Sequence, residues 1–169
     1  MQSCSPVKHR GAIEWDGFDD LVAEVKAIPL DGWTYRSDPE SYKTRVVLEA
    51  SPHFPKKGIE DLLNAAGAHF EESGYTNRVV LSCVPAGEEI LPHTDDFGPA
   101  VRRASYHCHI PLVTHPDIVI GFDSGPVHMK ERSLYTMDET ARHWVKNPTG
   151  VDRVHLLFAY FPHHGKRAA

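Results

Sequence analysis

Cysteine is scarce: Cys4, Cys83 and Cys108 are the only three in 169 residues. Their odd number and irregular spacing exclude both a disulfide framework and a Cys-x-x-Cys zinc ribbon, so reduced thiols are expected. Long apolar runs are absent as well. No stretch approaches the roughly eighteen residues that cross a bilayer, and Met1-Gln-Ser-Cys-Ser-Pro-Val-Lys-His-Arg10 lacks the apolar centre of a signal peptide. The expectation is no membrane partner and a cytoplasmic location. Basic charge is not in excess: 18 Lys and Arg stand against 23 Asp and Glu, a net charge of −5. Apart from short pairs such as Lys56-Lys57 and Arg102-Arg103 the cations are scattered, which argues against a nucleic-acid partner. There is no internal repeat or low-complexity segment, and no signal of oligomeric state.

What is present is enough apolar residue for one core. A composition 41% hydrophobic with three tryptophans suits a single domain over residues 1–169. From Trp15 to Ile28, the residues Phe18, Leu21, Val22, Val25 and Ile28 recur at helical spacing, with Asp16, Asp19 and Asp20 at the end where the helix dipole favours anions. Trp33-Thr-Tyr35 and Thr44 to Glu49 read as β-prone runs around a polar connection, and Ser51 to Pro55 as a turn. A second helical stripe, Ile59, Leu62, Leu63, Ala66 and Phe70, spans Gly58 to Ser73, with Gly74 expected just past its end. Residues 1–74 are therefore expected to be mostly helical support.

From Tyr75 the texture changes to short β-prone runs punctuated by Pro, Gly and Asp, without helical period. The expected fold is mainly β with flanking helices, its core over 75–162 a double-stranded β-helix, the cupin-like jelly roll whose interior can hold a small ligand.

Chemistry enters at Leu91-Pro-His93-Thr-Asp95. On an extended strand residues two apart share a face, so His93 and Asp95 offer a nitrogen and an anionic oxygen to one point. That is two thirds of the 2-His-1-carboxylate triad that holds non-haem iron(II). A polar turn after a strand gives the same His-x-Asp, so a third ligand must be found. Among twelve histidines the best placed is His143, because Arg153 follows ten residues later in a strand of Val, Leu and Phe. An arginine there wants an anionic partner, and its fork suits the far carboxylate of a 2-oxo acid chelating the metal.

Four ordered blocks extend this: Ser82-Cys-Val-Pro-Ala-Gly87 leading to Pro92-His-Thr94, His109-Ile-Pro-Leu112, Asp138-Glu-Thr-Ala-Arg-His143-Trp with Asn147, and Arg153-Val-His-Leu-Leu-Phe158. Together they resemble the aspartyl/asparaginyl β-hydroxylase branch of the iron(II)- and 2-oxoglutarate-dependent dioxygenases, over roughly half the chain. The resemblance implies that His93 and His143 bind iron and that Arg153, with His109 and Ser82, holds 2-oxoglutarate. It implies O2 as second co-substrate, with decarboxylation to succinate and hydroxylation of a C–H bond. Two departures stand out. The animal enzyme that names the family lacks a carboxylate at the position of Asp95, so this chain resembles a conventional three-ligand site. His107 stands where that enzyme has an arginine.

Short bacterial members resembling this format act on free amino acids or small peptides, which makes such a molecule the expected substrate; a peptidyl or protein aspartyl- or asparaginyl-type hydroxylase is the alternative. The connection carrying Asp96, Arg102 and Arg103 is expected to be a loop at the barrel mouth, with both charge signs in reach of a zwitterion. His107 and His155 are further candidates for substrate contact, each with a packed core histidine as the bland reading. Trp144 reads as core or pocket wall, Asp138 as a turn residue, Asn147 as a loop residue, and His163-His164 as a polar tail. Two rivals from other classes are a non-catalytic cupin-like binding protein and a zinc hydrolase, and the second would have no use for Arg153.

Overall fold

The computed structural model describes residues 5–35, 44–95 and 98–163. Among these residues ten strands form two sheets. The larger has seven strands in the order β1 (Val7–Ala12), β8 (Ser133–Met137), β6 (Tyr106–Val113), β10 (Arg153–Pro162), β4 (Gly74–Val84), β3 (Arg45–Leu48) and β2 (Thr34–Tyr35). The smaller runs β5 (Glu89–His93), β9 (His143–Lys146), β7 (Val119–Phe122). All pairings are antiparallel, and the two sheets make the jelly-roll core.

Strand alternation makes the large sheet two-sided. Val47, Leu81, Cys83, Cys108, Ile110, Leu112, Val154, Leu156 and Phe158 turn to one face. There they pack against Phe18, Leu21 and Val25 of α1 (Phe18–Lys26) and Ile59, Leu62 and Ala66 of α2 (Lys56–Gly67). The opposite face looks toward the small sheet. At one end it closes in a second apolar cluster of Val84, Tyr135 and Met137 with Ile90, Ile120, Phe122 and Val145. The same face also carries a buried polar group, Ser82, His109, Arg153 and His155.

Several expectations need correction. Residues 1–74 give more than helical support: the expected β-prone runs form β2 and β3 at one edge of the large sheet, and an unexpected strand, β1, forms its other edge. Gly74 does not cap a helix. The helix ends at Gly67, and Gly74 opens β4, where an added Cβ would lie 2.3 Å from the Phe161 carbonyl. The connection after the metal strand is not all loop: Gly98 (φ 81) leads into a short helix, α3 (Pro99–Ala104), with proline in its first turn. Cys83 and Cys108 are buried free thiols, and burial pushes Cys83 up to about 12; Cys4 lies outside the described residues.

Candidate active site

His93 ends β5 and His143 begins β9, and a register shift between Ile90 and His93 sets the two histidines directly opposite each other. A bulge of this kind re-aims a side chain at the end of a pairing. Asp95 follows two residues later, its amide donating to the Glu139 carbonyl at 2.9 Å. The imidazole centroids are 4.3 Å apart. Asp95 Oδ1 lies 3.8 Å from His93 Nε2 and Asp95 Oδ2 lies 3.7 Å from His143 Nε2. One ligand atom from each residue fits within 4.8 Å of the others.

Each imidazole is locked by the same device. His93 Nδ1 is 2.7 Å from the Leu91 carbonyl and His143 Nδ1 is 2.8 Å from the Ala141 carbonyl. A carbonyl only accepts, so both Nδ1 atoms carry protons and both Nε2 lone pairs point to the common centre. Burial, reinforced by the neighbouring His93, lowers the His143 pKa and favours the neutral, ligating form, although its carbonyl bond and Asp95 pull the other way. Two neutral imidazoles and a carboxylate on one side of a point are a donor set that fits iron(II) with coordination positions to spare.

Behind this triad lies the polar interior. Arg153 is 3% exposed and donates from a terminal guanidinium nitrogen to His155 Nδ1 at 2.9 Å. No carboxylate pairs with it among the described residues, and burial pulls its pKa down to about 9, which leaves it cationic at neutral pH. His109 is buried with both ring nitrogens unpartnered among the described residues, and burial, then His107 and Arg153, holds it well below the usual imidazole range. His155 faces Ser82 across the β4 pairing. A buried cation and several donors without an acceptor are costly as they stand. An anionic molecule rich in acceptors relieves all of them at once, which fits 2-oxoglutarate.

A cavity of about 460 Å³ adjoins both groups, touching the triad at Asp95 and the polar wall at Ser82. Val46, Leu48, Val80, Val101 and Leu157 give it apolar sides. His107 reaches it too, with Nδ1 2.7 Å from Oε2 of buried Glu139. The Arg102-Arg103 pair does not line it. Helix α3 turns Val101 and Ser105 inward, leaving Arg103 exposed and Arg102 half-buried, with Nε unpartnered among the described residues. Asp96 lies outside the described residues. His155 does not reach the cavity either, being held against Arg153. Asp138 closes a turn by accepting from the Thr140 amide and hydroxyl. Trp144 is half-buried against Gly121, where an added Cβ would meet its ring at 2.1 Å. Asn147 is no loop ornament: it is 1% exposed, and Nδ2 donates to the Val84, Pro85 and Val151 carbonyls. His163 is exposed and His164 lies outside the described residues.

Two cavity residues escape a reading of the sequence. Glu139 sits inside a recognisable block, but its burial depends on the turn before β9. Arg78 lies in β4 at φ 56, beside the bulge opposite Leu157 and Ala159, and lines the cavity. Neither has a local signal, since bulges and cross-strand neighbours are set by pairing.

The family profile described as Aspartyl/Asparaginyl beta-hydroxylase matches residues 43–162, well over half of the chain. No curated protein sequence matches. Among solved structures, the fold is similar to HygX from Streptomyces hygroscopicus, solved with nickel, 2-oxoglutarate and hygromycin B bound (TM-score 0.61, 14% identity, 94% of this chain and 83% of that one). It is similar to a prolyl hydroxylase from Trichoplax adhaerens in complex with a hypoxia inducible factor peptide fragment (TM-score 0.61, 11% identity, 95% and 86%). A Pseudomonas putida prolyl-4-hydroxylase is alike to the same degree (TM-score 0.61, 13% identity, 93% and 92%). At such identities these likenesses speak for the fold alone, whereas the profile match and the geometry above fix the kind of protein: this chain belongs to the aspartyl/asparaginyl β-hydroxylase family of iron(II)- and 2-oxoglutarate-dependent oxygenases.

Proposed function

We propose that the chain hydroxylates an unactivated C–H bond of a small substrate, a free amino acid or short peptide, with His93, Asp95 and His143 as the iron ligands. The observation that carries this reading is the convergence of those three side chains beside a buried Arg153 that has no carboxylate partner among the described residues. When bound, iron(II) lets 2-oxoglutarate and O2 go to succinate and CO2 while one oxygen atom enters the substrate C–H bond. The residues do the rest. His93 and His143 stay neutral and oriented through their Nδ1 bonds, and Asp95 supplies the anionic ligand, positioned by its amide bond to Glu139. Arg153, His109 and Ser82 receive the carboxylates of 2-oxoglutarate.

Substrate is proposed to occupy the cavity of about 460 Å³, its body against Val46, Val80 and Leu157. Glu139 and Arg78, of opposite charge in the cavity lining, are then proposed to receive an ammonium and a carboxylate; Arg102 and Arg103 do not line it, and Asp96 lies outside the described residues. Support for a small or peptide substrate comes from proteins of the same fold, one seen with hygromycin B and one with a peptide fragment. The peptide alternative draws on exposed Tyr35, which lines the cavity from edge strand β2. Buried free thiols and the lack, among the described residues, of any helix long and apolar enough to cross a membrane suit the proposed cytoplasmic location.

The test is succinate formation with iron(II) over a panel of amino acids and short peptides. Stimulation above the substrate-free rate is expected. Metal-dependent stability without any 2-oxoglutarate consumption favours the cupin-like binding protein instead, and turnover only with a folded protein removes the small-substrate reading.

A further inference from the structure

Resting on the co-substrate reading above, we propose that His155 is a co-substrate-binding residue, its Nε2–H donating to the distal carboxylate of 2-oxoglutarate beside the Arg153 guanidinium. Alternation along β10 places Arg153 and His155 on the same face of the large sheet. The contact between them is a guanidinium N–H to Nδ1 at 2.9 Å. A guanidinium has only hydrogens to offer, so Nδ1 presents its lone pair. Burial, and the cation next to it, keep the ring neutral. A neutral imidazole with a bare Nδ1 carries its proton on Nε2. That atom is fully buried and has no partner among the described residues.

A buried N–H without an acceptor bears the whole cost of leaving water. No described residue relieves it: His109 stands edge-on, ring centroids 5.8 Å apart, with its own nitrogens unpartnered among the described residues. Arg153, His155, His109 and Ser82 thus share one buried face of the large sheet, where His155 Nε2 and both His109 nitrogens have no partner among the described residues. A carboxylate, with about four lone-pair sites and no proton, is the chemical complement. Arg153 has two functions in this arrangement. It binds the anion directly, and it fixes the tautomer through which its neighbour binds. Because His155 then offers only a donor, the site prefers a carboxylate over a carboxamide at that end of the ligand.

The experiment is calorimetric titration of 2-oxoglutarate into the full chain loaded with zinc(II), which binds without turnover. Wild type is expected to bind saturably. His155→Leu, which removes donor and acceptor, is expected to weaken 2-oxoglutarate roughly ten- to a hundredfold with zinc affinity unchanged. His155→Gln is expected to retain most of the affinity, since its amide oxygen can accept from Arg153 while its NH2 donates. In wild type, nitrogen NMR of the histidines is expected to show the Nε2-protonated tautomer and a shift of that N–H when 2-oxoglutarate is added. Full affinity in His155→Leu overturns the proposal while leaving the co-substrate reading intact. Should that variant not fold, an Nδ1-protonated ring or an Nε2–H indifferent to 2-oxoglutarate overturns it equally. Zinc-loaded wild type that fails to bind 2-oxoglutarate overturns the co-substrate reading and this inference together.

Discussion

The Asp95 amide donates to the Glu139 carbonyl at 2.9 Å, and this one bond ties the carboxylate arm of the triad to the turn that delivers His143. The two histidines come from paired strands, but Asp95 lies beyond the end of β5 and depends on that tether. Metal bound at about a hundred times its dissociation constant stabilises a native protein by about 2.7 kcal/mol. Manganese(II) or iron(II) should therefore raise the melting temperature of wild type by several degrees, and Asp95→Ala should abolish the rise while leaving the metal-free melting temperature nearly unchanged. A full metal-induced shift in Asp95→Ala would remove this residue from the ligand set.

If Arg153 holds 2-oxoglutarate as proposed, Arg153→Ala should remove a charge-assisted pair, a loss of about 2–4 kcal/mol and so tens- to several-hundred-fold in affinity. Metal affinity should hold. Arg153→Lys keeps the charge but not the fork, and should recover only part of the loss. Equilibrium titration of 2-oxoglutarate into the folded variants reads both outcomes.

The protein free of ligand should lose stability as pH falls through the histidine range. His109 and His155 are both held well below their ordinary pKa, burial being the first cause in each. In the unfolded chain they take up protons near pH 6.5, whereas in the folded chain they resist it. Below about pH 6.5 the unfolded state thus holds more protons, and stability declines by up to about 1.4 kcal/mol per group per pH unit. Urea unfolding between pH 7 and pH 5 should show the decline, and His155→Gln should make it shallower.

At Arg78 the effects on fold and turnover should separate. A non-glycine residue at φ 56 carries backbone strain, and an alanine there keeps it while a glycine does not. Arg78→Gly should be more stable than Arg78→Ala by about 1 kcal/mol, yet both should raise KM for a carboxylate-bearing substrate alike. Equal stability of the two variants would argue against strain at this bulge.

Asn147→Ala should cost about 2–4 kcal/mol, because it strips partners from three backbone carbonyls and from the Thr149 amide and hydroxyl. Since Asn147 does not line the cavity, the surviving folded fraction should bind 2-oxoglutarate normally. Denaturant unfolding paired with ligand titration separates the two.

The pattern of the sequence carries the site further than its surroundings. The spacing of His93 and Asp95 suggests a shared strand face, but Asp95 lies past the end of β5 and is held by its amide bond to Glu139; Arg153 stands out because a guanidinium is out of place among Val, Leu and Phe. The register shift that brings His93 opposite His143 has no local signature, nor does the pairing that sets Arg78 at the cavity. Strand β1 is missed because Val7-Lys-His-Arg-Gly-Ala12 is mostly polar; it becomes a strand by pairing with β8. Arg102 and Arg103 mislead for the opposite reason. Their charge is plain in the sequence, but the helical turn of Pro99–Ala104 decides which side chains face inward, and it selects Val101.

The two-sided large sheet has a consequence for how such a protein can diverge. Along β4, β6 and β10, successive residues answer to different selective demands: Leu81, Cys108 and Leu156 to the helices behind, Ser82, His109 and His155 to the polar interior in front, where 2-oxoglutarate is proposed to bind. Drift on the ligand side can retune what is bound with the cohesion of the helix-backed side left intact. An insertion or deletion of one residue within these strands exchanges the two sides at once and ruins both, so lineages of this architecture should vary in length at their connections and by substitution alone within the strands.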